Sequence, residues 1–118
     1  MPISTVVLQV LREVCGNLPA DQGITTEGAY RDSTRVVPSG AGETLVPPGF
    51  EAVATQLAVA GFRARVDPEI AAARLLKLLV NLAINPLAAL NRVPNGALLD
   101  RPHRAVLEAL VTEAWPVL

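Results

Sequence analysis

Three polar side chains recur at a spacing of four residues within the most apolar stretch of the chain. Lys77, Asn81 and Asn85 lie in the segment LLKLLVNLAINPLAAL, where their neighbours are mainly Leu, Val, Ile and Ala. In an α-helix, residues four apart are rotated by about 40° around the axis, so the three side chains span an arc of about 80°. The spacing therefore predicts one polar stripe on an otherwise apolar helix.

The residue types in this stripe suit a site that holds and reduces a small polar ketone. Desolvation in an apolar pocket disfavours the charged form of a lysine and so makes its ammonium group a better proton donor. Such a group can act as general acid towards an oxygen that becomes an alkoxide when hydride attacks a carbonyl carbon. The amides of Asn81 and Asn85 can donate to a substrate oxygen and accept from a hydroxyl group. Lys77 is therefore the candidate catalytic residue, and the two asparagines are candidate substrate-binding residues.

Two other interpretations of the stripe remain open on the residues alone. In the first, the stripe faces solvent on a helix that packs through its other sides. In the second, the helix crosses a membrane, since residues 70–90 are long enough to span a bilayer. Arg74, Lys77 and Pro86 oppose a membrane span, because each cation near the bilayer centre costs about 2.5–3.5 kcal/mol. We therefore expect no membrane partner.

Composition restricts the class of protein further. The chain has 118 residues, of which 51% are hydrophobic and 18% charged, and this is enough apolar material for a folded core. Its 10 basic residues nearly balance its 11 acidic ones, so a nucleic-acid partner is not expected. Cys15 is the only cysteine, which suits a cytoplasmic protein without an internal disulfide. No metal site is expected, because His103 has no second histidine or nearby cysteine.

The first half of the chain mixes helical and strand patterns. A helix is predicted over residues 4–15, and Cys15 should be packed on its apolar face. The β-branched runs that follow predict strands at about 22–30, 34–38 and 43–46, with SGAG at 39–42 as the hairpin connection between the last two. A further helix and strand are predicted over 48–60 and 62–66.

The second half is predicted to be helical throughout. Asp67 should cap a long helix that runs from Pro68 to Asn91, and Pro86 should kink it. A last helix is predicted from Arg101 to about Trp115. The chain is therefore expected to belong to the α+β class, with its helical part at the C-terminal end.

Two segments of the sequence resemble the ketopantoate reductase family (2-dehydropantoate 2-reductases). Residues 77–98, KLLVNLAINPLAALNRVPNGAL, resemble the family pattern K-x-x-x-N-x-x-I-N-P-L-x-A-x-x-x-x-x-N-G. The positions that agree with it are Lys77, Asn81, Ile84, Asn85, Pro86, Leu87, Ala89, Asn95 and Gly96. Residues 22–46, QGITTEGAYRDSTRVVPSGAGETLV, are similar to the family stretch G-x-T-T-x-x-A…V…G-x-G. Together the resemblance extends from about Val6 to Trp115.

This resemblance implies a fold, a reaction and roles for the stripe. Residues 1–66 would contain the terminal strands of a Rossmann-type NADPH-binding domain, and residues 67–118 would form the first part of an all-helical C-terminal domain. The family reduces ketopantoate, a small 2-oxo acid, to pantoate with NADPH, on the route to pantothenate and coenzyme A. Lys77 would then be the general acid, while Asn81 and Asn85 would hold the hydroxyl and carbonyl side of the substrate.

The sequence also departs from the family pattern. It has no G-x-G-x-x-G turn for a pyrophosphate and no L-Q-N-G segment, so its cofactor-binding residues are unknown. Pro38 stands where many members have a histidine, and helices that carry a Ser and a Glu for substrate binding would follow Leu118. We therefore expect a truncated member that does not complete the reaction alone. The alternatives are a non-catalytic dimerising or partner-binding module, which would be a homo-oligomer in the dimerising case, and a reductase of another 2-oxo acid.

Overall fold

The computed structural model describes the backbone of residues 3–118 and the side chains from Val6 onward. These residues form two compact units, one ending at Ile70 and the other comprising Ala71–Leu118. The first unit contains two small sheets and two helices, whereas the second is helical, so the α+β class is confirmed. The boundary between the two units lies four residues after the predicted domain boundary at residue 66. Residues 1 and 2 of the expected first domain lie outside the described residues.

The elements follow the chain in a simple order. The first unit contains α1 (Ile3–Cys15), β1 (Ile24–Thr25), β2 (Ala29–Asp32), β3 (Arg35–Pro38), β4 (Thr44–Val46), α2 (Glu51–Val59) and β5 (Ala64–Val66). After these come α3 (Ile70–Asn91), a 3-10 helix (Asn95–Leu99), α4 (His103–Ala114) and a final 3-10 turn (Trp115–Val117). Most predicted helices and strands are therefore present, with shorter strands than expected.

A β–α–β unit lies at the centre of the first unit. β4 and β5 are parallel, with Thr44 opposite Ala64 and Val46 opposite Val66. α2 makes the crossover between them and packs against both strands, and Ala54 of this helix is buried. β1 pairs antiparallel with the other edge of β4, which gives the strand order β1-β4-β5. That these strands are the end of a Rossmann-type domain stays a prediction.

The predicted hairpin at residues 39–42 is wrong. β3 pairs with β2, not with β4, and the tight turn between β2 and β3 is Ser33–Thr34. Ser33 has a φ of 54°, a left-handed conformation that short polar residues reach more readily than β-branched ones. The predicted strand 22–30 is likewise divided, because β1 and β2 belong to different sheets. Sequence reasoning placed the turn at the glycines, whereas the strands reverse at the polar pair.

The apolar side of α1 is open to solvent. Val7, Val10 and Val14 on this helix are 52%, 52% and 79% exposed. Cys15 is exposed as well, so the expectation of a packed thiol is wrong, because the apolar side on which it was placed is itself not buried. The end of α1 agrees with prediction, since Gly16 adopts a φ of 63° and its N–H donates to the Arg12 carbonyl at 3.1 Å.

The beginning of α3 agrees with the prediction in part, because Asp67 makes the expected hydrogen bond but the helix begins at Ile70 and not at Pro68. The Oδ1 atom of Asp67 accepts a hydrogen bond of 2.9 Å from the Glu69 N–H, as an N-terminal capping side chain does. The helix then continues through Pro86 to Asn91. Among residues 3–118, α3 is the helix long and apolar enough to cross a membrane, with a mean hydropathy of 1.5. Core helices of soluble proteins pass the same test, so length and composition are weak evidence for a span.

The core of the second unit lies where α3 meets the following 3-10 helix. Leu87, Ala88 and Leu98 form a buried cluster, and Leu98 is only 1% exposed. The partly buried residues that pack against this cluster are Ile84, Val93 and Leu107. Because Leu107 belongs to α4, the cluster joins the three helical segments of the unit.

Gly42 should be required for the stability of the first unit. It is buried, and a Cβ atom there would overlap the backbone N and Cα atoms of Glu27. We expect Gly42→Ala to lower the free energy of unfolding by about 1–3 kcal/mol, because the backbone would have to move. Urea denaturation followed by circular dichroism measures the loss. Gly96→Ala is the matched control, since its Cβ would meet no atom within 4 Å. Equal destabilisation by the two substitutions would contradict this account.

Leu98 should carry much of the stability of the second unit. Leu98→Ala removes a side chain that is 1% exposed, and we expect it to lower the free energy of unfolding by about 2–5 kcal/mol. The adjacent Leu99 is 66% exposed and serves as control, with a change of about 0.5 kcal/mol or less for Leu99→Ala. Thermal and urea melts of both variants decide the point, and similar losses would show that the cluster is not the core.

Candidate active site

α3 presents the predicted polar stripe on one face. The helix is continuous over Ile70–Asn91, so Lys77, Asn81 and Asn85 follow one another at intervals of one turn. Lys77 is half-buried, whereas the two asparagines are exposed. The Nδ2 atom of Asn85 donates to the Oδ1 atom of Asn81 at 3.4 Å. The structure thus brings the two amides into contact and places the lysine one turn before them.

The hydrogen bond between the amides orients the two side chains relative to each other. Since the oxygen of Asn81 accepts from Asn85, the two N–H bonds of Asn81 can donate to a ligand. Asn85 retains its own oxygen as an acceptor together with a second N–H bond. The pair therefore offers donors beside an acceptor, an arrangement that complements a molecule with adjacent carbonyl and hydroxyl oxygens.

A buried row on α3 fixes the orientation of this stripe. Leu79, Ala83 and Leu87 also recur every four residues, and they are 6%, 3% and 8% exposed. This row is displaced from the polar row by two residues, which is about 200° around the helix. Burial of the apolar row therefore turns the polar row to the opposite side of α3.

The remaining residues of the motif build the support for α3. Ile84 and Leu87 pack in the core cluster, while Asn95 and Gly96 begin the 3-10 helix that carries Leu98 into it. The motif at residues 77–98 therefore has two physical parts. One part presents polar groups, and the other anchors the helix that presents them.

Arg74 is a further polar residue of the same face, which the four-residue spacing did not reveal. It precedes Lys77 by three residues, and this places it about 60° around the axis, within the arc of the stripe. Like Lys77, it is half-buried. The sequence already indicated that Arg74 lies on this face, because residues three apart on a helix are neighbours just as residues four apart are. The charges of α3 are thus two cations, with no aspartate or glutamate in the helix.

The G-x-G at residues 40–42 does not have the geometry of a dinucleotide-binding turn. The two glycines at 40 and 42 are followed by β4 and not by a helix whose N-terminus could face a phosphate. Gly42 is buried against the backbone of Glu27, so no space for a phosphate group remains beside it. Within residues 3–118, no group of three or more His, Cys, Asp or Glu side chains could hold a metal ion.

Comparison with known proteins relates this geometry to a family. Residues 69–118 match the family model described as "Ketopantoate reductase PanE/ApbA C terminal". The chain is 36% identical over 90 residues to the 2-dehydropantoate 2-reductase of Pyrobaculum aerophilum, covering 76% of this chain and 32% of the relative. It is 39% identical over 89 residues to that of Archaeoglobus fulgidus, covering 69% and 30%. With that of Vibrio cholerae serotype O1 the identity is 31% over 122 aligned positions, covering 94% and 40%.

The chain spans less than half the length of each of these relatives. The family match begins just before α3 and includes the polar stripe, the buried row and the core cluster. The matches also extend to the first unit, because the similarity to the Vibrio cholerae protein covers 94% of the chain. The resemblance seen in the motif at residues 77–98 is therefore confirmed, and the chain belongs to the ketopantoate reductase family.

Proposed function

We propose that this chain supplies the substrate-binding and proton-donating part of an NADPH-dependent reduction of a 2-oxo acid, with ketopantoate as the substrate. The observation that carries the proposal is the stripe of Lys77, Asn81 and Asn85 on α3, within the segment that matches the family model. The three relatives, each named a 2-dehydropantoate 2-reductase, support the choice of substrate. We also propose a cytoplasmic location, with a small 2-oxo acid as the partner.

Lys77 acts as the general acid in this proposal. When the carbonyl carbon is reduced, its oxygen gains negative charge and needs a proton. The Nζ–H bond of Lys77 breaks as the new O–H bond forms, which leaves a neutral amine and a hydroxyl group. Because Lys77 is only half-buried, solvent can return the proton to the amine after each reaction.

The two asparagines orient the substrate. Asn81 donates to the ketone oxygen through Nδ2, because a ketone oxygen can only accept a hydrogen bond. Asn85 accepts from the hydroxyl group of ketopantoate through Oδ1. Amides can hold these oxygens without adding charge, so the positive charge of Lys77 remains the main electrostatic feature beside the ketone.

Hydride transfer is not assigned to this chain. The sequence has no G-x-G-x-x-G turn for a pyrophosphate group. Gly49, the open glycine just before α2, donates its N–H to the Glu51 carboxylate at 3.1 Å. The assignment of residues 1–66 to the end of the NADPH-binding domain is part of the proposal, and the β4–α2–β5 unit supports it. We infer that these 118 residues bind the 2-oxo acid but do not complete its reduction.

A second candidate function rests on the exposed apolar surface. α3 leaves Leu76, Val80 and Leu90 at 58%, 44% and 83% exposure, and α1 is similarly open. Surfaces of this kind mark sites of protein association. A non-catalytic module that forms homodimers or binds another protein is therefore the alternative. Sedimentation equilibrium tests the dimerising case, because a monomer at micromolar concentration with a cooperative melt would contradict a homodimer.

Ketopantoate should bind at the amide pair. In nitrogen-15 NMR spectra, the side-chain NH₂ signals of Asn81 and Asn85 should shift on titration with ketopantoate. Asn81→Ala should weaken binding about tenfold, because a hydrogen bond of about 1–1.5 kcal/mol is lost. Asn91→Ala is the control on the same helix, since the Asn91 amide donates to the Leu87 carbonyl at 2.8 Å. Shifts confined to other regions, or equal losses in both variants, would contradict the proposal.

The chain alone should not oxidise NADPH. When the purified chain is mixed with NADPH and ketopantoate, the long-wavelength absorbance of NADPH should fall no faster than in a blank without protein. The reason is that the sequence has no G-x-G-x-x-G turn to bind the pyrophosphate of NADPH. A rate above the blank that disappears in Lys77→Ala would overturn the inference that these residues are insufficient. A rate that persists in Lys77→Ala would instead indicate a contaminating reductase.

A further inference from the structure

We propose that two copies of this chain associate through the open edge of β2 and form one continuous antiparallel sheet with the strand order β3-β2-β2-β3. The inference goes beyond the proposed function and does not rest on it. β2 and β3 belong to the first unit and lie outside the segment that matches the family model. The proposed contact is also a different surface from the exposed apolar sides of α1 and α3.

The β2–β3 hairpin is a sheet of only two strands. In the described part of the chain, these strands pair with each other and with no further strand. Every residue of β2 is exposed, and in β3 only Val37 is half-buried. A two-stranded hairpin by itself is marginally stable in water, whereas sheets of three or more strands can be stable. Strand addition would therefore stabilise this hairpin.

The alternation of hydrogen bonds identifies the backbone groups that point away from the hairpin. The N–H of Ser39 donates to the Gly28 carbonyl at 2.9 Å, at the open end of the ladder. In an antiparallel pair of strands, hydrogen-bonded and non-hydrogen-bonded residue pairs alternate. The next pair, Ala29 opposite Pro38, is therefore non-hydrogen-bonded, and so is the pair that contains Arg31. The N–H and C=O groups of Ala29 and Arg31 thus point outward from β2.

The two outer edges of the hairpin differ in their capacity to accept another strand. On β2, Ala29 and Arg31 each present one donor and one acceptor. The residues opposite them on β3 are Pro38 and Val36, and proline has no N–H. Proline is one of the features that protect the edge of a sheet from strand addition. Addition should therefore occur at β2, and the β3 strands then form the outer edges of a closed dimer.

The sequence of β2 makes its edge complementary to a second copy of itself. With a twofold axis through Tyr30, Ala29 of each copy lies opposite Arg31 of the other, and every outward N–H of β2 meets an outward carbonyl. Tyr30 is 56% exposed, and the two Tyr30 side chains meet at the axis as a close non-hydrogen-bonded pair. An axis through Arg31 would instead place two like charges opposite each other, which is unfavourable. A second copy, in the register set by Tyr30, is therefore the partner that fits this edge.

Sedimentation equilibrium of the chain and of two edge variants tests the proposed surface. We expect a monomer–dimer equilibrium with a dissociation constant of about 10–1000 µM, because the contact is small. Arg31→Pro removes an outward N–H from β2 and should raise this constant about tenfold or more. Val36→Pro is the matched control, since it changes the other residue of the same non-hydrogen-bonded pair but removes its N–H from the β3 edge. It should leave the dissociation constant unchanged.

Disulfide cross-linking tests the register of the two copies. Because Cys15 is exposed, the experiment is made in a Cys15→Ser background. Tyr30→Cys should form an intermolecular disulfide with oxidised glutathione, because a non-hydrogen-bonded pair brings the two Cβ atoms to about 4.5–5.5 Å. Thr34→Cys is the control, since this residue lies in the turn of the hairpin, away from the axis. It should form the disulfide much more slowly.

Each alternative result would overturn the proposal. A chain that remains monomeric at about 1 mM would do so. A dimer that Arg31→Pro does not weaken, or that both proline variants weaken equally, would also do so. Circular dichroism shows whether each variant is folded. If Arg31→Pro does not fold, the cross-linking decides, because equal rates for Tyr30→Cys and Thr34→Cys would exclude an axis at Tyr30.

Discussion

The burial of one apolar row fixes the rotation of α3, and the use of its polar face depends on that rotation. Leu79, Ala83 and Leu87 are removed from water, so the row of Lys77, Asn81 and Asn85 must point to the other side. The 3-10 helix after α3 secures this arrangement, because Leu98 packs against Leu87 at one end of the row. A side chain on a rotating helix could not hold a ligand, whereas a packed helix presents its polar groups at fixed positions.

In the proposed function, the proton donor and the two amides that bind the substrate follow one another along this face of α3. Lys77 can exchange a proton with solvent because it is half-buried, and the exposed amides beside it are linked to each other. In the proposed function, one helix supplies the groups that bind the substrate, and no residue is assigned to the cofactor.

The sequence predicted the features that depend on neighbouring residues, and it did not predict those that depend on contacts between residues distant in the chain. α3, its Asp67 cap and the polar stripe were predicted correctly, because helical periodicity and capping are properties of neighbouring residues. The pairing of the strands was not predicted, since β4 pairs with strands distant in sequence and the glycines at 39–42 suggested a turn. The packing of Cys15 was predicted wrongly for a similar reason, because an apolar face does not specify what covers it. The amide–amide contact of Asn81 and Asn85 depends on side-chain conformations, which spacing does not determine.

A crystal structure of this chain with ketopantoate tests the central claim most directly. The account predicts density for the ligand along the polar face of α3. Its ketone oxygen should lie within hydrogen-bonding distance of Lys77 Nζ and Asn81 Nδ2, and its hydroxyl group should lie beside Asn85. Ligand bound instead in the apolar groove of about 410 Å³ that Leu82, Leu110 and Val117 line would contradict the assignment of the site. Crystals grown at saturating ketopantoate with no ligand on this face would contradict it equally.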